Sequence, residues 1–98
     1  MGTGSERFEA HLIAYQVEFK PSAKKALGTL PKKVQRRIQG VIHTLGSNPL
    51  PPVAVKLVGR DGYRIRVSDY RIVYTIHKNV LTVVIVSIGH RREVYRKN

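Results

Sequence analysis

The amino-acid sequence predicts a single α+β domain in the order β-α-α-β-β-β, with the helices packed on one face of the sheet. Three observations support this fold class. A segment with strand-like alternation lies near the start, two amphipathic helical segments follow it, and three segments rich in β-branched and aromatic residues fill the second half. The 98 residues are enough for one domain, and the hydrophobic fraction of 42% is high enough for a folded core.

The domain is expected to span residues 14–98. Residues 1–13 show no clear period, so we interpret them as a flexible arm or an artificial extension and leave them out of the fold prediction. Tyr15, Val17 and Phe19 then alternate with polar residues, which predicts the first strand.

Two helices are predicted next, joined as a hairpin because the connection between them is very short. Pro21 and Ser22 offer a start for the first helix, with Ser22 as its N-cap. Pro31 would break that helix but suits the first turn of the next one. Gly46 is expected to cap the C-terminus of the second helix. The second helix has an apolar face at i, i+4, i+7, i+8 and i+11, formed by Val34, Ile38, Val41, Ile42 and Leu45.

Three strands are predicted after the helices, as an antiparallel meander. They cover Tyr63–Val67, Tyr70–His77 and residues 80–88. We interpret Ser68-Asp69 and Lys78-Asn79 as two-residue turns between them, and such turns fix the register of the strands.

This register divides the sheet into two faces. Arg66 is expected directly opposite Arg71, and Arg71 opposite Val86. One face is almost wholly apolar and is expected to lie under the helices. Like charges directly opposite are destabilising by a few tenths to about 1 kcal/mol, so the other face is interpreted as an anion-binding surface, with solvated arginines as the alternative. This open face is expected to include Arg64, Arg66, Arg71, Ile88 and His90.

The charge of the chain indicates a partner of opposite sign. Lysine and arginine total 18, aspartate and glutamate total 6, and the formal net charge is +12. Residues 20–60 contain no acidic residue. This asymmetry favours RNA, DNA, the ribosome surface or an acidic protein as a partner, over a domain that is merely basic. The predicted helices contribute six cations, namely Lys24, Lys25, Lys32, Lys33, Arg36 and Arg37.

The composition excludes several kinds of site. The chain has no cysteine, which rules out disulfides, thiolate zinc sites, iron–sulfur clusters and cysteine nucleophiles. The few carboxylates form no dyad in the sequence, and no metal-ligand spacing is present. No apolar run approaches the ~20 residues of a membrane span. We therefore expect a cytoplasmic protein that binds no metal or other cofactor and no membrane.

Three motifs resemble the RelE/ParE superfamily of toxin–antitoxin toxins, and within it the RelE branch. They are GYRIR at residues 62–66, DYRIVY at residues 69–74 and IGHRREVYR at residues 88–96. The resemblance covers residues 14–96 and implies the toxin of a type II toxin–antitoxin system, which cleaves mRNA in the ribosomal A site. It also implies a RelB-like antitoxin, the 70S ribosome and mRNA as partners, with operator DNA contacted only through the antitoxin.

The resemblance also implies roles for individual residues. Arg64 and Arg66 match basic positions that are often lysines, and Arg71 matches the arginine of the transition state. Arg91 matches the arginine proposed as the general acid, and Tyr95 matches the tyrosine that positions or activates the mRNA. The basic helix face would contact ribosomal RNA through phosphates, but it would also suit an acidic antitoxin or simply be solvated.

The reaction implied by the resemblance needs no metal. The ribose 2′-OH loses its proton and attacks the adjacent phosphate, the 5′-oxygen leaves, and a 2′,3′-cyclic phosphate forms. Arginines suit the charge on that phosphate, but they are poor bases because they stay protonated. His90 and Tyr95 therefore remain alternative bases.

Two other functions fit the same pattern. One is a ParE-like toxin that inhibits DNA gyrase without cutting RNA, and the other is a degenerate toxin that serves only as a corepressor of its operon. The presence of Tyr95 together with Arg91, Arg71 and the Arg64/Arg66 pair favours the nuclease.

Overall fold

A computed structural model of the protein describes residues 14–90, which contain five strands and two α-helices. The interpretation of residues 1–13 and the roles given to Arg91 and Tyr95 lie outside the described residues. The elements in chain order are β1 (Gln16–Phe19), α1 (Pro21–Gly28), α2 (Lys32–Ser47), β2 (Val55–Lys56), β3 (Tyr63–Val67), β4 (Tyr70–His77) and β5 (Thr82–His90). The predicted α+β fold class is confirmed.

The strands form one mixed sheet with the order β1-β5-β4-β3-β2. β1 runs parallel to β5, from the pair Gln16↔Thr82 to the pair Phe19↔Ile85. The other neighbouring strands are antiparallel, so β3, β4 and β5 form the predicted meander, and β2 adds a short edge strand beside β3. β5 therefore lies inside the sheet, with β1 on one side and β4 on the other.

The helix starts differ from the prediction. α1 begins at Pro21, and Lys20 is its N-cap residue with no capping side chain among the described residues, so the prediction of Ser22 as N-cap is wrong. Pro31 occupies the N-cap position of α2, immediately before its first turn. Proline at this position does not interrupt α2, because its missing N–H is not needed there, and α1 has already ended at Gly28.

Gly46 brings α2 against β1 and does not cap the helix as predicted, because α2 continues to Ser47. Its carbonyl oxygen accepts a 2.7 Å hydrogen bond from the backbone N–H of Tyr15. A Cβ at Gly46 would lie 3.2 Å from the carbonyl oxygen of Tyr15, which is closer than ordinary van der Waals contact. Glycine at this position therefore permits the close approach of helix and strand.

The β3–β4 hairpin confirms the predicted register. Ser68 and Asp69 form the turn, and Ser68 adopts a positive φ of 57°. The pairing runs from Val67↔Tyr70 to Tyr63↔Tyr74. Arg66 lies directly opposite Arg71, as the two-residue turn predicts.

The prediction of a two-residue turn between β4 and β5 is wrong. A 3₁₀ turn covers Lys78–Val80, and Leu81 follows it with a φ of 48°. The longer connection pairs His77 with Thr82.

A β-bulge changes the direction of the side chains within β5. Tyr74 pairs with Ile85, whereas its neighbour Val73 pairs with Ser87, so Val86 is the extra residue. Because side chains alternate along a strand, an extra residue moves every later side chain to the other face of the sheet.

The longer turn and the bulge together change three of the predicted positions. Ile88 lies in the core under the helices with only 5% of its surface exposed, and not on the open face. His90 pairs with Tyr70 on that same helix-covered side. Arg71 is opposite Gly89, and not Val86 as predicted.

The core lies between the helical hairpin and one face of the sheet. Tyr74, with no exposed surface, is its largest buried side chain, and its hydroxyl donates a 2.8 Å hydrogen bond to the carbonyl oxygen of Pro49. Burial raises the pKa of Tyr74 to about 12, with a smaller contribution from Tyr63. The bond fixes the connector after α2 to the sheet. The core cluster comprises Ala23, Leu27, Ile38, Ile42, Leu45, Ile65, Val67, Ile72, Tyr74, Val83, Ile85 and Ile88.

Candidate anion-binding site on the open sheet face

Three arginines lie together on the sheet face that is opposite the helices. Arg66 and Arg71 are direct cross-strand partners, and Arg64 is two residues from Arg66, opposite Val73. Direct partners in an antiparallel sheet have Cα atoms about 4.5–5.5 Å apart. The β3–β4 turn therefore places the three arginines side by side on one face of the sheet, and this grouping was predicted from the sequence.

The three arginines differ in exposure. Arg66 is exposed and Arg64 is half-buried, whereas Arg71 is only 3% exposed. Val73 beside them is also buried, so this face is less open than the sequence indicated. A buried arginine has lost most of its side-chain freedom on folding and is already ordered when an anion arrives.

Gly89 is a residue of this site that the sequence analysis did not identify. It stands directly opposite Arg71 on β5, on the same face of the sheet. The signal in the sequence is a glycine inside an otherwise β-branched strand, which marks a close approach. The sequence could not show that this glycine is the partner of Arg71, because the pairing depends on the bulge.

The structure does not bring His90 to the arginines. Its ring meets Tyr70 edge-on, with ring centroids 5.6 Å apart and an interplanar angle of 80°. Since His90 and Tyr70 are cross-strand partners, both lie on the side of the sheet opposite Arg71. The predicted grouping of His90 with the open-face arginines is therefore wrong.

A second basic surface lies on the helical hairpin, across the sheet from the arginine site. α1 and α2 carry six predicted cations, and all of them are exposed. They include pairs of like charges at i and i+4, Lys32 with Arg36 and Lys33 with Arg37, which are mildly unfavourable in an isolated helix. The full set is Lys24, Lys25, Lys32, Lys33, Arg36 and Arg37.

Residues 14–90 contain no group of three or more histidine, aspartate or glutamate side chains that could hold a metal ion. In the same part of the chain, no helix is long and apolar enough to cross a membrane.

Comparisons with known proteins identify the family. The family described as "ParE toxin of type II toxin-antitoxin system, parDE" matches residues 17–95. The putative RelE-like toxin protein of Escherichia coli is 35% identical over 82 residues, covering 81% of this chain and 85% of the relative. Toxin RelG of Mycobacterium tuberculosis is 30% identical over 89 residues, covering 87% of this chain and all of the relative.

A solved structure extends this likeness to the fold. One chain of the intact Escherichia coli RelBE toxin–antitoxin complex matches with a TM-score of 0.71 and 26% sequence identity. The match covers 79% of this chain and 96% of that chain.

The fold is thus that of a small toxin of the toxin–antitoxin type. The chain belongs to the toxin family of type II toxin–antitoxin systems described above, and within it resembles RelE-like toxins. The superfamily resemblance of the three sequence motifs is confirmed.

Proposed function

We propose that this RelE-like toxin is a ribosome-dependent endoribonuclease that cleaves mRNA in the A site and so inhibits translation. The observation that supports the proposal most directly is the pairing of exposed Arg66 with buried Arg71, with Arg64 on the same face. Two like charges held directly opposite each other destabilise the free protein, and an anion between them removes that repulsion. The phosphate at the cleaved bond is such an anion.

The arginines act on the charge that develops at phosphorus. The ribose 2′-oxygen gives its proton to a base and forms a bond to phosphorus, while the bond from phosphorus to the 5′-oxygen breaks. The 5′-oxygen takes a proton from an acid, and the product is a 2′,3′-cyclic phosphate. Arg71, already ordered by burial, and the neighbouring Arg64 and Arg66 stabilise the extra negative charge by bidentate hydrogen bonds.

The proton transfers are assigned to residues near the C-terminus. The position of His90 beside Tyr70 supports Tyr95 as the base, in place of His90. A tyrosine acts as a base only if nearby cations favour its phenolate. Arg91 is the proposed general acid, by resemblance to the family.

The proposed partners follow from the two basic surfaces. The helical hairpin docks on ribosomal RNA in the cytoplasm through Lys24, Lys25, Lys32, Lys33, Arg36 and Arg37. The likeness to a chain of the RelBE toxin–antitoxin complex supports a RelB-like antitoxin as the neutralising partner, and operator DNA is bound only through that antitoxin.

The experiment that tests this function mixes the purified protein with mRNA-programmed 70S ribosomes and maps mRNA ends by primer extension. We expect cuts in the A-site codon, their loss with Arg71→Ala or Tyr95→Phe, and no loss with Lys20→Gln, an exposed cation outside the proposed site. If the protein is folded by circular dichroism and makes no A-site cut, the nuclease proposal is wrong. Unchanged cutting by both site variants would overturn the residue assignment alone.

Inhibition of DNA gyrase is the second candidate function, because the matching family is described by a ParE toxin. It predicts loss of gyrase supercoiling activity without any mRNA cut. A supercoiling assay with the same protein preparation therefore separates the two functions.

A further inference from the structure

A cleft of about 630 Å³ lies at a corner of the sheet, away from the arginine site. β3 pairs with β4 only as far as Tyr63↔Tyr74, whereas β4 continues to His77. Thr75 and His77 therefore line a notch that the loop before β3 and the connector after α2 close on two sides. Backbone groups of an antiparallel strand point alternately to its two neighbours, so β4 also directs some of them into this notch.

The corner cleft and the arginine site are separate places. Thr75 and His77 are four and six residues beyond Arg71 on the same strand. At about 3.4 Å per residue, they lie roughly 14–20 Å from Arg71. One phosphate cannot bridge that distance.

Two cations border the cleft. Lys56 is held over the ring of Tyr63, with its Nζ 5.4 Å from the ring centroid, and Tyr63 packs in turn against Tyr74 at a centroid distance of 5.8 Å. Lys78, in the turn after β4, lies on the rim. The contact with Tyr63 limits the positions of an otherwise flexible ammonium group, so Lys56 is partly ordered for an incoming anion.

The remaining lining suits a flat heteroaromatic ring. Tyr15 forms an apolar wall, and the hydroxyl of Thr75 shares a 2.9 Å hydrogen bond with Nε2 of His77. This bond orients the imidazole and leaves its second ring nitrogen for another partner. Asp61 and Asn79 add a carboxylate and an amide to the lining. The cleft thus combines an aromatic wall, cations and both donors and acceptors.

We infer that the corner cleft binds a nucleotide. The phosphate contacts Lys56 and Lys78, the base packs against Tyr15, and the edge of the base hydrogen-bonds at the Thr75–His77 pair. A free mononucleotide and a nucleotide within single-stranded RNA present the same chemistry. Apolar or purely anionic ligands would use only half of this lining.

The inference is tested by titrating the full ¹⁵N-labelled chain with AMP, with a single-stranded RNA and with inorganic phosphate, while amide chemical shifts are followed. We expect saturable shifts around residues 75–79 and 61–63. Lys56→Gln and Lys78→Gln should each weaken nucleotide binding about fivefold, whereas Lys20→Gln, which removes the same charge from an exposed position outside the cleft and outside both basic surfaces, should stay within about twofold.

The arms of the experiment distinguish the sources of the ligand. Saturation by AMP supports a free nucleotide, and saturation by RNA alone supports a nucleotide within RNA. Shifts confined to the arginine site, equal affinity for AMP and inorganic phosphate, or an effect of Lys20→Gln as large as that of Lys56→Gln would each overturn the inference. No ribosome is present, so the titration can succeed or fail independently of mRNA cleavage.

Discussion

Replacing Arg66 by glutamine should stabilise the free protein while weakening its hold on an anion. Arg66 is exposed and directly faces Arg71, which is buried. Like charges directly opposite in a sheet destabilise it by roughly 0.2–1 kcal/mol relative to a neutral pair. Because Arg66 is solvated, we take the middle of that range, about 0.5 kcal/mol, which corresponds to about 2–4 °C in Tm for a domain of this size.

The salt dependence of this gain identifies its origin. The Debye length falls from about 30 Å at 0.01 M ionic strength to about 3 Å at 1 M, so Arg66→Gln should gain stability in low salt and lose most of that gain in high salt. Lys78→Gln is the matched control, since it removes the same charge from an exposed turn that has no cross-strand partner in the pairing of β4 with β5. Urea denaturation at both ionic strengths measures the free energy of unfolding.

Phosphate binding connects the stability of the Arg66–Arg71 pair to the proposed role of this pair in holding the mRNA phosphate. Phosphate that binds between Arg66 and Arg71 should raise the Tm of the wild type more than that of Arg66→Gln, because a ligand stabilises the state that binds it. The inferred repulsion between Arg66 and Arg71 is refuted if Arg66→Gln is less stable than Lys78→Gln in low salt. It is also refuted if phosphate raises the Tm of the wild type and the Tm of Arg66→Gln by the same amount.

Two further predictions concern the fold. Gly40→Ala should stabilise α2 by about 0.8–1 kcal/mol, because a Cβ there meets nothing within 4 Å, whereas Gly46→Ala should lose stability because its Cβ would press on the Tyr15 carbonyl. Thermal melts measure the Tm of each variant, and a raised Tm for both would contradict the close approach of Gly46 to the Tyr15 carbonyl. Tyr74→Phe should cost about 1 kcal/mol at pH 8, by leaving the Pro49 carbonyl without its donor. Since the folded-state pKa of Tyr74 is raised from 10.0 to about 12, its contribution is complete below pH 10 and declines as the pH rises toward 12. Urea melts from pH 8 to 11.5 should therefore show the variant's deficit shrinking, and a constant deficit would contradict the raised pKa.

The part of the candidate site that the sequence predicted depends on one tight turn. Ser68-Asp69 is a two-residue connection, and the alternation of β3 and β4 is clear on both sides of it, so the opposition of Arg66 and Arg71 follows from counting. Residues 80–86 are almost all apolar, and a run of this kind looks the same whichever side faces the core. Such a run shows neither the length of the turn before it nor the position of the bulge at Val86. The sequence therefore placed His90 on the wrong face of the sheet. The burial of Arg71 was equally invisible, since it depends on tertiary packing.

Because β5 lies between β1 and β4, its position determines when the sheet can form during synthesis of the chain. Gln16 finds its partner only in Thr82, 66 residues further along the chain. Until that strand has been translated, β1 has no neighbour in the sheet, and Gly89 is not yet opposite Arg71. A nascent or truncated chain that stops before Thr82 therefore has neither the complete sheet nor the complete arginine site. The sheet can therefore be completed only after β5 has been synthesised.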